Sequence, residues 1–129
     1  MRLLLDTHVW LWSLVSPERL SPSAARLLGD AENDLYLSAA SCWEIAIKYQ
    51  LGKLPLPEHP EDFIGPRLLR DGIHGLQVSL QHATRVARLP MIHRDPFDRL
   101  LVSQSQIEKI ALISADPIFG KYDVELIRC

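Results

Sequence analysis

Arg2-Leu3-Leu4-Leu5-Asp6-Thr7-His8-Val9-Trp10-Leu11-Trp12 is the stretch on which the fold class turns. Arg2 to Leu5 is a short apolar run that stops at an acid, as a strand buried on both faces does. The segment from Val9 to Val15 is too apolar for a solvated loop and reads as a helix that Pro17 ends. A buried strand that passes directly into a helix is the first half of a strand–helix–strand unit. If the pattern repeats, a parallel sheet follows.

The pattern does repeat. Ser21-Pro22 has the cap and first-turn chemistry of a second helix, which carries Ala24, Ala25, Leu27 and Leu28 and ends at Gly29. Leu35-Tyr36-Leu37 is a second strand. Ser38 to Leu51 reads as a helix with Trp43, Ala46, Ile47 and Leu51 on one stripe, and Gly52 stands where a C-terminal cap favours a left-handed residue. Pro55, Pro57 and Pro60 make the next stretch a loop. Asp62 to Arg70 reads as a helix, and Leu76-Gln77-Val78 as a short third strand before a helix over Gln81 to Leu89. Asp95-Pro96 opens the clearest helix, with Phe97, Leu100, Leu101 and Ile107 inward. It feeds Ile110-Ala111-Leu112-Ile113, a continuous apolar run typical of a central parallel strand, and Val124 to Ile127 reads as a closing strand. The sequence therefore predicts one α/β domain over residues 1–129. Helices flank a mainly parallel sheet, and ligands are expected at the carboxyl edge of the strands.

The 129 residues are 47% hydrophobic and carry a formal net charge of −2. That composition suffices for a core without staples. It argues against a strongly basic nucleic-acid coat, so any nucleic acid must be gripped locally. Cys42 and Cys129 have no metal-ligand spacing, which argues against a zinc knuckle or a disulfide framework and predicts free thiols in a reducing compartment. No run reaches the ~18 apolar residues of a membrane span, and no secretory leader pattern is visible. The expected location is cytoplasmic, away from membranes.

Four acids are placed to meet. Asp6 ends the first strand, Glu44 lies in the early turns of the helix after the second, Asp98 opens the helix feeding strand 110–113, and Asp116 follows that strand. In a strand–helix–strand crossover, strand C-termini and helix N-termini share one rim of the sheet. Carboxylates packed on one rim repel and raise each other's pKa unless protons are shared or a cation neutralises them. Oxygen-only ligation favours Mg²⁺ or Mn²⁺ over zinc. Such an ion, or a pair about 4 Å apart, lowers the pKa of bound water and stabilises charge on an attacked phosphodiester.

Each acid also has a structural reading. Asp6 can start the turn into its helix, Ser41-x-x-Glu44 fits a capping box, and Glu44 can pair with Lys48 four residues on. Asp95 before Pro96, Asp98 in the first turn and Asp116 before Pro117 all fit helix starts. Capping explains acids one at a time; recruitment of four to one edge is what a metal site requires.

At these residues the sequence resembles a known family. The motifs are Leu4-Leu5-Asp6-Thr7-His8-Val9-Trp10, Ser41-Cys42-Trp43-Glu44-Ile45-Ala46-Ile47-Lys48, His93-Arg94-Asp95-Pro96-Phe97-Asp98-Arg99-Leu100-Leu101 and Ser114-Ala115-Asp116-Pro117-Ile118-Phe119. In this order they resemble the PIN-domain, VapC-type toxins, over nearly the whole chain. The resemblance implies a PIN-like three-layer sandwich in which Asp6, Glu44, Asp98 and Asp116 form the acidic quartet that binds Mg²⁺ or Mn²⁺. It places Thr7 and Ser114 at hydroxyl positions near the metal, and Asp95 as either a further acid of the site or only the helix cap. It also implies endoribonuclease action on RNA, a cognate antitoxin protein as partner, and homodimers.

Lys48, Arg94 and Arg99 lie close in sequence to the acids and are candidates to hold flanking RNA phosphates; the other reading is solvated charges paired with local acids. Arg67, Arg70, Arg85 and Arg88 have the spacing of ordinary solvated helix faces. Trp10, Trp12 and Trp43 suit an interface, with core packing the expected role of Trp43. His8 and His93 each stand near a candidate acid and can act on a phosphate or only bond locally. A haloacid-dehalogenase-like phosphatase needs a second aspartate where His8 stands, and a receiver-type domain needs a lysine that Ser114-Ala115-Asp116 does not supply. A noncatalytic PIN-like module that binds RNA or protein would not require all four acids, and all four are present.

Overall fold

In the computed structural model, residues 1–129, five parallel strands stand in the order β3-β2-β1-β4-β5. They are β1 (Arg2–Leu5), β2 (Asp34–Ser38), β3 (His74–Leu76), β4 (Ala111–Ser114) and β5 (Leu126–Arg128). Six helices connect and cover them: α1 (Thr7–Val15), α2 (Pro22–Gly29), α3 (Ala39–Gln50), α4 (Pro60–Asp71), α5 (Leu80–Arg85) and α6 (Pro96–Glu108), with short 3₁₀ turns between. The expected α/β sandwich is met, and its sheet is parallel throughout.

Leu5 is registered between Leu37 and Ile113, which fixes the centre of the sheet. Alternation then divides the core. Leu5, Leu37 and Ile113 face Val9 and Trp10 of α1, Ile45 of α3 and Phe63 of α4. Leu4 and Leu112 face the other way, onto Leu101 and Val102 of α6, Phe119 and Tyr122. Both faces of β1 are covered, which is why its residues form an unbroken apolar run. Full burial of each such side chain contributes roughly 1.5–3 kcal/mol.

The local signals act largely as expected. Ser21 caps α2 by accepting from the Ala24 amide, and Gly72 closes α4 in a left-handed conformation with φ of 66°. Three expectations fail. The third strand lies at His74–Leu76 rather than 76–78. The stripe assigned to α3 is not its core face: Trp43 is 59% exposed and Leu51 62%, while Ala40, Ser41, Glu44 and Ile45 point inward. On α6, similarly, Leu101 and Val102 are buried together with Ser103, Gln104 and Ser105, whereas Phe97, Leu100 and Ile107 are only partly covered. Both thiols are free, and burial pushes that of Cys42 up, away from reactivity. No helix is long and apolar enough to cross a membrane.

Candidate active site

The chain builds β1, β2 and β3 outward in one direction, then returns to place β4 on the other flank of β1. At such a switch point the loops leave β1 and β4 in opposite directions and a crevice opens at their carboxyl ends. Here it is a cleft of about 340 Å³ lined by Asp6, Glu44, Asp95, Asp98 and Asp116, with His8, Trp12, Lys48 and Ala115. All four candidate acids reach it, and Asp95 makes a fifth.

Hydrogen bonding separates these acids by task. Asp95 accepts from the Asp98 amide at 3.0 Å and caps α6, and Asp116 accepts from the Ile118 amide at 3.0 Å and caps a 3₁₀ turn. Asp6 occupies the cap position of α1 but its carboxylate caps nothing; Oδ2 accepts from Ser114 Oγ at 2.7 Å. The Ser41–Glu44 capping box does not form. Ser38 caps α3 instead, so Glu44 sits inside the helix, 5% exposed, with Oε2 2.7 Å from Lys48 Nζ. Asp98 lies in the first turn of α6, and its Oδ2 is 3.1 Å from His93 Nε2. Helix capping therefore accounts for Asp95 and Asp116, but not for Asp6, Glu44 or Asp98.

Burial of like charges shows in the protonation of the cleft. Burial pushes Asp98 up to about 7, with repulsion from Asp95 and Asp6 adding to it and the His93 hydrogen bond opposing it. Asp6 is also raised, first by burial, against the Ser114 hydrogen bond and His8, with Glu44 adding repulsion. In both acids the loss of water on burial is the leading cause, and repulsion among the cleft carboxylates adds to it.

The remaining candidates separate. Ser114 Oγ donates to Asp6 and accepts from the Asp116 amide, tying β4 to two cleft acids. Thr7 is buried with Oγ1 donating to Ser41 Oγ at 2.8 Å; it joins α1 to α3 and does not line the cleft. Lys48 lines the cleft, and Arg94 is exposed beside it in sequence but not on its wall. Arg99, expected at a phosphate, is placed otherwise. It is 6% exposed, its Nη1 donates to Pro90 O, His93 O and Tyr122 Oη, and its Nη2 donates to Val86 O. A guanidinium spent on four internal acceptors is structural. Of the helix-face arginines, Arg67 pairs with Glu58 and Arg70 with Asp71, as solvated charges do. Tyr122, which bonds His93, had no signal in sequence, because only tertiary folding brings residue 122 to residue 93. Trp12, whose residue type suits an interface, also lines the cleft.

The donors are oxygens, which suits a hard divalent cation such as Mg²⁺ or Mn²⁺. The residues fit one by chemistry and by uncompensated charge. No three acidic, imidazole or thiol groups converge as a ready-made cage. Glu44 Oε2 is held by Lys48, and one oxygen each of Asp6 and Asp98 by protein donors.

A doubly covered parallel sheet with an acid-lined cleft at its switch point defines an α/β class of protein with an acidic crevice at the carboxyl edge of its strands. The chain belongs to the PIN domain family, whose model matches residues 3–125. It is 46% identical over 56 residues to Ribonuclease VapC16 of Mycobacterium tuberculosis; the match spans 43% of this chain and 40% of that relative. In fold it is similar to VapBC2 from Rickettsia felis, solved bound to a DNA fragment from their promoter, at a TM-score of 0.73 and 16% identity over 100% and 99% of the two chains. DNA-bound VapBC from Salmonella typhimurium gives a TM-score of 0.73 at 13% identity, over 99% and 98%.

Proposed function

We propose that this chain is a Mg²⁺- or Mn²⁺-dependent endoribonuclease that serves as the toxin of a toxin–antitoxin pair. The observation that carries the reading is the cleft, in which Asp6, Glu44 and Asp98 are drawn from three separate elements and none is used as a cap. RNA as substrate is supported by the partial match to a protein named a ribonuclease, and a protein partner by a fold neighbour from Klebsiella pneumoniae solved as a toxin-antitoxin complex. A homodimer is part of the same proposal.

Asp6, Glu44, Asp98 and Asp116 would hold the cation, which when bound supplies neutralisation of the phosphate and activation of water. The chain's own residues do the rest. Ser114 fixes one oxygen of Asp6. Asp95 sets the start of α6 so that Asp98 enters the cleft. Lys48 stands on the cleft wall with 41% of its side chain exposed, within reach of a phosphate, and Arg94 offers a fork outside it. One observation favours the noncatalytic alternative: no cage is preassembled.

Cleavage of a mixed RNA pool in EDTA, Mg²⁺ or Mn²⁺, run beside Asp6→Asn from the same preparation, tests this. Metal-dependent cuts absent from the variant are expected. Equal cutting by both preparations would mark a contaminant, and no cutting with either metal would leave the binding-module reading in its place.

A further inference from the structure

We propose that His93 is a positioning residue: a one-way hydrogen-bond chain from Arg99 through Tyr122 sets its tautomer, and the imidazole thereby orients the Asp98 carboxylate. This rests on the reading of the cleft as a cation-dependent nuclease site, and it concerns how one acid of that site is held.

Polarity follows from the first link. Arg99 is buried and can only donate, and its Nη1 lies 3.2 Å from Tyr122 Oη. The Tyr122 oxygen is therefore an acceptor there, which frees its own proton for His93 Nδ1 at 2.7 Å. An imidazole that accepts at Nδ1 carries its proton at Nε2, the atom that faces Asp98 Oδ2 at 3.1 Å. Every donor in the series thus points toward the carboxylate. Such a chain polarises link by link, and it ties Oδ2 while Oδ1 accepts no hydrogen bond from the protein.

The anchoring is rigid at its far end. Tyr122 is 5% exposed and packs in the core cluster with Leu101 and Phe119. Arg99 also holds Pro90 O and His93 O, at 2.9 and 3.4 Å, and so pins the irregular loop that carries the imidazole. One residue fixes both the backbone under His93 and the hydroxyl that sets its proton. Asp98 has few other constraints, since its only side-chain partner is that imidazole. A ligand whose orientation is set by a histidine loses affinity when the histidine goes, by roughly 10–100-fold at sites where such partners have been removed.

Two readouts decide it. In metal-free protein with ¹⁵N-labelled imidazoles, well above the ordinary histidine pKa of about 6.5, His93 is expected in the Nε2–H form, and Tyr122→Phe should release it to a mixture. In a Mn²⁺ titration followed by melting temperature, His93→Ala should weaken the apparent affinity roughly 10–100-fold, and His93→Gln, which keeps an N–H donor, should recover most of it. An Nδ1–H form in the wild type, a tautomer indifferent to Tyr122→Phe, or unchanged affinity in a folded His93→Ala variant would each overturn the proposal. If the wild type shows the expected tautomer but takes no Mn²⁺, the nuclease reading fails while the orientation of Asp98 by His93 stands.

Discussion

Asp98 and Arg99 are adjacent at the start of α6, and the protein treats their charges in opposite ways. Arg99 is almost wholly enclosed, and four acceptors, Val86 O, Pro90 O, His93 O and Tyr122 Oη, meet its guanidinium. Asp98 keeps 19% of its side chain exposed, has one side-chain partner, and faces the repulsion of Asp95 and Asp6. Burial of a charge is costly unless hydrogen bonds replace its hydration. At Arg99 four protein acceptors replace most of it, and the residue ties its loop to α6. At Asp98 the replacement is incomplete, and the shortfall is what a bound cation would remove.

The largest expected effect breaks the satisfied side. Arg99→Met keeps most of the volume but removes four charge-assisted hydrogen bonds and leaves the His93 carbonyl without a donor, while Val86 O and Pro90 O keep backbone donors and Tyr122 Oη keeps His93; it should cost about 3–4 kcal/mol in urea unfolding. A loss below about 1 kcal/mol would mean that water replaces the guanidinium and that the charge is not integral to the fold.

The next effect has the opposite sign. Asp98 titrates at about 7 when folded, against 3.8 as the ordinary value. Below the unfolded value both states hold the proton and nothing is lost. As pH rises between the two values, the unfolded chain releases a proton that the folded one retains, so stability falls until the folded group ionises. The Asp98 contribution to the stability of the metal-free wild type should therefore fall from about pH 4 to about 7, and relative to the wild type Asp98→Asn should be more stable by roughly 3–4 kcal/mol above that window and equal below it. Melting curves in EDTA across this range give the answer; a variant no more stable at the alkaline end would show that the acid is not under electrostatic strain.

The same contrast explains what could be read from sequence. Strands β1, β2 and β4 were legible because burial on both faces demands apolar runs, and the caps Ser21 and Asp95 because backbone amides at helix starts demand an acceptor. The cleft acids were legible as a set, since four strand-end or helix-start positions converge on one rim. The faces of α3 and α6 were not. Their inward surfaces carry Ser41 and Glu44, and Ser103, Gln104 and Ser105, so apolar periodicity pointed to the wrong side. Trp43 was displaced to an exposed edge-to-face contact with Phe97, 5.3 Å between ring centres. Arg99 was misread for the mirror reason: adjacency to a site acid says nothing about which way a side chain leaves the helix. On α3 buried polar partnerships, Ser41 with Thr7 and Glu44 with Lys48, override the local apolar pattern.

The smallest effect sharpens the comparison at a third residue. Lys48 is the one cation bonded to Glu44, and it is 41% exposed, so its half of the pair is solvated while Glu44, at 6%, is not. The pair is only half solvated, so removing the ammonium leaves an enclosed carboxylate without a donor, and Lys48→Met should cost about 1 kcal/mol of folding stability. The consequence for the cleft is separate. With the ammonium gone, Glu44 Oε2 has no protein donor and joins the uncompensated acids, so Mn²⁺ should bind about 2–3-fold more tightly, which corresponds to roughly 0.5 kcal/mol. Weaker Mn²⁺ binding in Lys48→Met would mean that the lysine holds Glu44 in its liganding position, as His93 holds Asp98. The pair would then lie on the structural side of the divide, with Arg99, and the strain would be confined to Asp6 and Asp98.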